Sequence, residues 1–133
     1  TAAALGRLGE QGFGAVIYLA PTTVSDAVSD EREIVERQGM VWINIPMRFD
    51  GPTDAEVEAF FDAMSRLAGR KVLVHCQLNL RGSTLTFLYR TIVRREPPEV
   101  AYEAVARVWS PQGPWKALIE RQLQRRGIAF EPY

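Results

Sequence analysis

Residues 71–84 read Lys-Val-Leu-Val-His-Cys-Gln-Leu-Asn-Leu-Arg-Gly-Ser-Thr, an apolar run that stops at His75-Cys76, with Arg81 following after four intervening residues. A short strand that ends at a cysteine, turns and feeds a helix brings the sulfur to where the turn's N–H groups and the helix N-terminus converge. Such a pocket favours an anion. The same field stabilises a thiolate and lowers a cysteine pKa from its free value of about 8.5. A guanidinium at Arg81 can hold an oxyanion with two parallel hydrogen bonds. Nucleophile and clamp are therefore expected to share one loop.

Other elements must position that loop. A chain of 133 residues suits one domain, 1–133, with a core that needs no staples. Its 16 basic residues balance 16 acidic ones, so no global field draws nucleic acid or an anionic membrane, and an anion site must be local. One cysteine forms no internal disulfide, and with one histidine the chain builds no zinc cluster, so no metal is expected. No apolar stretch approaches the roughly 20 residues that span a bilayer, and no signal peptide is read. The first residue is Thr1, which leaves an upstream segment open; the cytoplasm is the default expectation, and oligomeric state is not legible.

Helix and strand patterns alternate without repeats, which predicts an α/β single domain whose central, mostly parallel sheet is flanked by helices. A helix is expected over 1–12 and a buried strand over 15–19, followed by a polar loop. Ser29 is expected to cap a helix over 29–38 that Gly39 closes, before a strand over 41–45 that Pro46 ends. Thr53 and Glu56 form a capping box, and Val57, Phe60, Phe61, Met64 and Leu67 line one face of the helix behind it, up to Gly69. A strand over 72–74 and helices over 82–94, 98–109 and 114–126 complete the pattern, two of them opening on proline. In open parallel sheets ligands sit beyond the carboxyl ends of the strands, which singles out the loops after Leu19, Ile45 and Cys76.

His75-Cys76, the arginine that follows and Ser83 at the helix start resemble the signature of the cysteine-dependent protein tyrosine and dual-specificity phosphatases. The run through Gly12-Phe13, Val16-Ile17, Gly39-Met40, Ile45-Pro46, Phe60-Phe61, Met64, residues 72–76, Asn79, Arg81 and residues 87–90 is similar to a small bacterial phosphatase-like domain, and Trp115 continues the likeness. Related domains also occur fused to persulfide-metabolising enzymes. The chain departs from the family in one respect: the phosphatase signature has five residues between cysteine and arginine, and here there are four, with Gly82 where the arginine would fall if Ser83 kept register. Four is the rhodanese spacing, and a loop one residue shorter encloses a smaller cradle. Asn79 stands where both families usually place glycine, and asparagine is among the few residues that tolerate left-handed backbone.

The resemblance implies that Cys76 attacks phosphorus in line to give a cysteinyl phosphate, while Arg81 and the loop formed by Gln77, Leu78, Asn79, Leu80, Gly82 and Ser83 hold the equatorial oxygens. It implies a hydrogen bond from Ser83 or Thr84 to the thiolate and a loop-orienting role for His75. It also implies an acid on the loop after the preceding strand. Asp50 is the candidate, although relatives often carry the acid nearer the proline, where this chain has Met47, Arg48 and Phe49. Asp54 is the reserve, and Arg48 is a candidate to recruit an anionic substrate. The substrate class is a phosphorylated protein or small phosphoester, with neither metal nor organic cofactor.

Two other readings stay open. A rhodanese-like sulfurtransferase would carry a persulfide on Cys76, and a catalytically silent module would bind an anion or phosphorylated partner, the latter favoured if Asp50 points away from the loop. The aromatics Trp42, Phe60, Phe61, Phe87 and Tyr89 fall at core spacings, and Trp109 and Trp115 are expected to pack rather than stack on a ligand. Arg94-Arg95 and Arg125-Arg126 suit helix C-termini. None of these requires a nucleic acid.

Overall fold

A computed structural model describes residues 1–22, 30–76 and 78–133. Among them, three parallel strands, β1 (Ala15–Tyr18), β2 (Val41–Asn44) and β3 (Val72–His75), form a sheet in the order β2-β1-β3. Ala15 lies opposite both Val41 and Val72, and Tyr18 opposite Asn44 and His75, so all three strands end at the same edge. Every residue of β1 is buried, because a central parallel strand with helices on both faces has no solvated side.

Alternation along β1 divides the core in two. Ala15, Ile17 and Leu19 point into the larger cluster, built with α3 (Asp54–Arg66), α4 (Leu80–Leu88), α5 (Pro98–Ala101), α6 (Glu103–Ala106) and α7 (Gly113–Arg125). Val16 points the other way, toward Leu5 of α1 (Ala2–Leu5), Val35 of α2 (Glu31–Glu36), Leu8 and Met40. The capping box of α3 is present: Thr53 Oγ1 accepts from Glu56 N at 3.2 Å, and Glu56 Oε1 accepts from Thr53 N at 3.0 Å. Gly39 and Gly69 take φ values of 79° and 86°, the left-handed turns their positions after helices require.

Several boundaries differ from expectation. The helix expected over 1–12 is only α1 followed by turns, because Gly6, Gly9 and Gly12 each weaken helical propagation. Ser29 lies outside the described residues; α2 starts at Glu31, and Asp30 precedes it without a side-chain cap. The helix expected over 98–109 is broken at Tyr102, whose hydroxyl donates to the Tyr133 carbonyl at 2.7 Å and whose ring meets Phe87 edge-on. The α4 helix starts at Leu80, two residues before the expected position, which brings Arg81 and Gly82 into its first turn. Beyond Leu88 it continues as a π-helical turn over Tyr89–Val93, closed by Arg94 N donating to Tyr89 O at 3.1 Å.

Candidate active site

β3 delivers Cys76 directly to the loop before α4. The His75 carbonyl accepts from Leu19 N at 2.9 Å, so the loop leaves the sheet from a fixed point. Cys76 is a free cysteine, half-buried against the larger core cluster. Gln77 lies outside the described residues, Leu78 is 74% exposed, and Leu80 is half-buried. Asn79 adopts the left-handed geometry anticipated for it, with φ 61° and ψ 14°, and its carbonyl accepts from Ser83 N at 3.0 Å. Gly82 answers to that turn: a Cβ there would lie 2.6 Å from Asn79 Oδ1. The glycine serves close approach rather than a special φ.

The hydroxyls expected at the thiolate are engaged elsewhere. Ser83 Oγ donates to Leu80 O at 3.2 Å and Thr84 Oγ1 donates to the same carbonyl at 2.9 Å. Inside a helix such hydroxyls bond back to the carbonyl three or four residues earlier, and the early start of α4 puts both in that position. Arg81 is only 5% exposed. Its guanidinium runs toward the loop after β2, with Nη1 donating to the Met47 carbonyl at 3.5 Å and the central carbon 5.5 Å from the Phe49 ring centre, within cation–π range.

The loop after β2 is fastened at its backbone. Met47 N donates to Leu19 O at 3.2 Å, and Trp115 Nε1 of α7 donates to Phe49 O at 2.8 Å. The Phe49 ring lies 5.6 Å from Trp109 and 5.9 Å from Trp115, so both tryptophans pack, as expected of them. Asp50 does not share this order. Arg48 Nε donates to its Oδ1 at 3.1 Å and Arg48 Nη2 to its Oδ2 at 3.0 Å, with side chains 74% and 73% exposed. The residue proposed to protonate a leaving group and the one proposed to recruit an anion are thus bound to each other. The reserve, Asp54, faces α7, accepting from Gln122 Nε2 at 2.8 Å and Arg121 Nε at 3.3 Å. Burial pushes its carboxyl up, but the Gln122 hydrogen bond and the Arg121 and Arg125 charges outweigh that and hold it below the usual range. Asp54 clasps α3 to α7.

Glu31 was missed. It sits at the start of α2, 5% exposed, and its Oε2 accepts from Trp42 Nε1 at 2.8 Å and lies 2.9 Å from His75 Nε2. Burial pushes its carboxyl up, yet the hydrogen bonds to His75 and Trp42 prevail and hold it below the ordinary carboxylate range. It is ionised at neutral pH and accepts only, so His75 carries its proton on Nε2. The His75 ring also rests on Tyr18, with centroids 4.8 Å apart. In Asp30-Glu31-Arg32-Glu33 the residue reads as one solvated charge among several, and no local signal marks it for burial.

No protein-family model and no curated protein matches the sequence. Solved structures do, and they define the class: an α/β domain with the fold of the protein tyrosine and dual-specificity phosphatases. Tk-PTP in its active form superposes with a TM-score of 0.76 at 20% identity, covering 94% of this chain and 87% of that one. A P. aeruginosa TpbA variant in complex with pTyr gives 0.63 at 17%, covering 92% and 80%. At those identities the likeness is one of fold. The "putative phosphatase (DUF442)" of Shewanella putrefaciens CN-32 gives a TM-score of 0.86 at 30% identity, covering 94% of this chain and 82% of that one. The chain belongs to that DUF442 family.

Proposed function

We propose that the chain, acting through residues 1–133 as one domain, is a cysteine-dependent phosphatase that hydrolyses a phosphomonoester of a protein or small molecule. The observation that carries this reading is the junction itself: Cys76 leaves β3, a left-handed Asn79 turns the chain, and Arg81 lies in the first turn of α4. The Cys76 thiolate attacks phosphorus, the P–O bond to the leaving group breaks, and the leaving oxygen takes a proton. Water then attacks the cysteinyl phosphate, releasing inorganic phosphate and the thiolate. Arg81, the N–H groups of the loop and the N-terminus of α4 oppose the charge on the equatorial oxygens. Leu78, Asn79, Leu80, Gly82 and Ser83 are the residues that would line that cradle; Gln77, expected among them, lies outside the described residues. Asp50 donates the proton once it leaves Arg48. The chemistry needs neither metal nor organic cofactor.

Wild type should release phosphate from p-nitrophenyl phosphate and Cys76→Ser should not; release that survives the substitution refutes the reading. The four-residue spacing supports a second reading, in which Cys76 takes sulfane sulfur from thiosulfate, expels sulfite, and passes the sulfur to cyanide as thiocyanate. The same pair of proteins in that assay decides between them. Inactivity in both leaves a binding module, the reading that the exposed Arg48–Asp50 pair favours.

A further inference from the structure

We infer that Glu31 is a positioning residue for Cys76: its carboxylate receives the His75 Nε2 proton and so fixes the ring, and with it the main chain from which the nucleophile loop departs. The inference rests on reading Cys76 as the nucleophile. Four elements meet at this point, Glu31 from α2, Trp42 from β2, His75 from β3 and Tyr18 from β1. Main chain and side chain of His75 are both held, the carbonyl by Leu19 N at 2.9 Å and the ring by Glu31 at 2.9 Å and Tyr18. The next residue is Cys76, so a rotation of His75 is passed on directly to the direction in which the sulfur leaves the sheet.

A purely architectural role explains the arrangement poorly. Burying a charge is unfavourable, and a buried ionic group is often replaced by apolar residues of similar volume without loss of stability. The indole of Trp42 needs an acceptor, but any hydroxyl or carbonyl would serve it. What a carboxylate adds is an obligatory acceptor: an amide in its place could turn its N–H groups toward the ring and accommodate the other tautomer, whereas an ionised carboxylate admits only Nε2–H. Carboxylates that orient functional imidazoles in this way change activity by about 10- to 100-fold when removed, as known from metal sites.

The test uses Glu31→Gln, which keeps the shape, Glu31→Leu, which removes the acceptor, His75→Asn, and the Glu31→Leu/His75→Asn pair, each monitored by thermal unfolding. The first readout is the rate at which iodoacetamide alkylates Cys76 at neutral pH, which does not depend on any phosphatase activity. The second is the division between kcat and KM for p-nitrophenyl phosphate. Glu31→Leu is expected to slow alkylation and lower kcat by about 10-fold or more with KM within about twofold, Glu31→Gln to lose less, and the double variant to lose no more than His75→Asn alone. If Glu31 works only through its field the expectation is the contrary, because removing an anion's field favours an anionic nucleophile: alkylation should then be faster. Faster or unchanged alkylation, or losses that add in the double variant, would overturn the inference. Wild type that alkylates as expected but turns over no phosphate would defeat the phosphatase reading and leave the positioning role to be judged by alkylation alone.

Discussion

The two loops that a phosphoryl-transfer centre would need are built differently. The loop after β3 is held where it leaves the sheet and where it enters α4: Leu19 holds the His75 carbonyl, Glu31 and Tyr18 hold its ring, Asn79 carries the turn, and Arg81 is buried. The loop after β2 is pinned at its backbone by Leu19 and Trp115, yet its charged side chains, Arg48 and Asp50, stand in solvent and pair with each other. An exposed ion pair contributes only about 0 to 1 kcal/mol, so a dianionic substrate can take Arg48 from Asp50 at little energetic expense. A nucleophile must be held ready before substrate arrives, whereas an acid can be recruited by the substrate it serves.

The contrast can be broken most sharply at Arg81. Arg81→Lys keeps the charge but loses the planar fork, and kcat/KM for p-nitrophenyl phosphate should fall by about 10²- to 10³-fold; a loss under about fivefold would mean the guanidinium does not meet the phosphoryl group. Asp50→Asn should lower turnover of an alkyl phosphate by about 10²-fold and leave p-nitrophenyl phosphate within about threefold, because only the poor leaving group needs the proton. Equal losses on both substrates would give Asp50 a structural role and make the two loops alike.

Smaller effects test the anchored loop as a structure. Gly82→Ala drives a methyl against Asn79 Oδ1, at 2.6 Å, so the Asn79 amide must turn away, and the change should destabilise the protein by about 1 kcal/mol in urea unfolding. Asn79→Gly removes the obstacle and relieves the left-handed residue, so in its presence the cost of Gly82→Ala should largely vanish. The least effect is in acid. A carboxyl whose folded pKa lies below its unfolded one stabilises the fold above the unfolded value and loses that contribution as pH falls through the folded one. Glu31 is lowered from an ordinary 4.5, so its contribution is complete above that pH and fades below it. Glu31→Gln should flatten part of the acid limb of a stability curve. A limb of unchanged slope would argue against an ionised buried Glu31; Asp54, lowered by its own partners, still titrates in the variant.

What could be read in advance was local. The strand ending at Cys76, the Thr53 capping box, the glycine turns and the left-handed Asn79 all follow from neighbours within a few residues, where backbone sterics and short hydrogen bonds decide the outcome. The α/β architecture with its parallel sheet was legible for a related reason: apolar periods of two and of three to four residues alternate, and this alternation admits few topologies; its phosphatase likeness was legible only through the resemblance carried by residues such as His75, Cys76, Arg81 and Ser83. Three features came only with folding. Glu31 meets His75 across 44 residues, Arg81 meets Met47 across 34, and Asp54 meets Gln122 of α7 across 68. A charged side chain in a sequence carries no mark of the partner it will find, because its orientation is set by which elements the core brings alongside it and how much water they exclude.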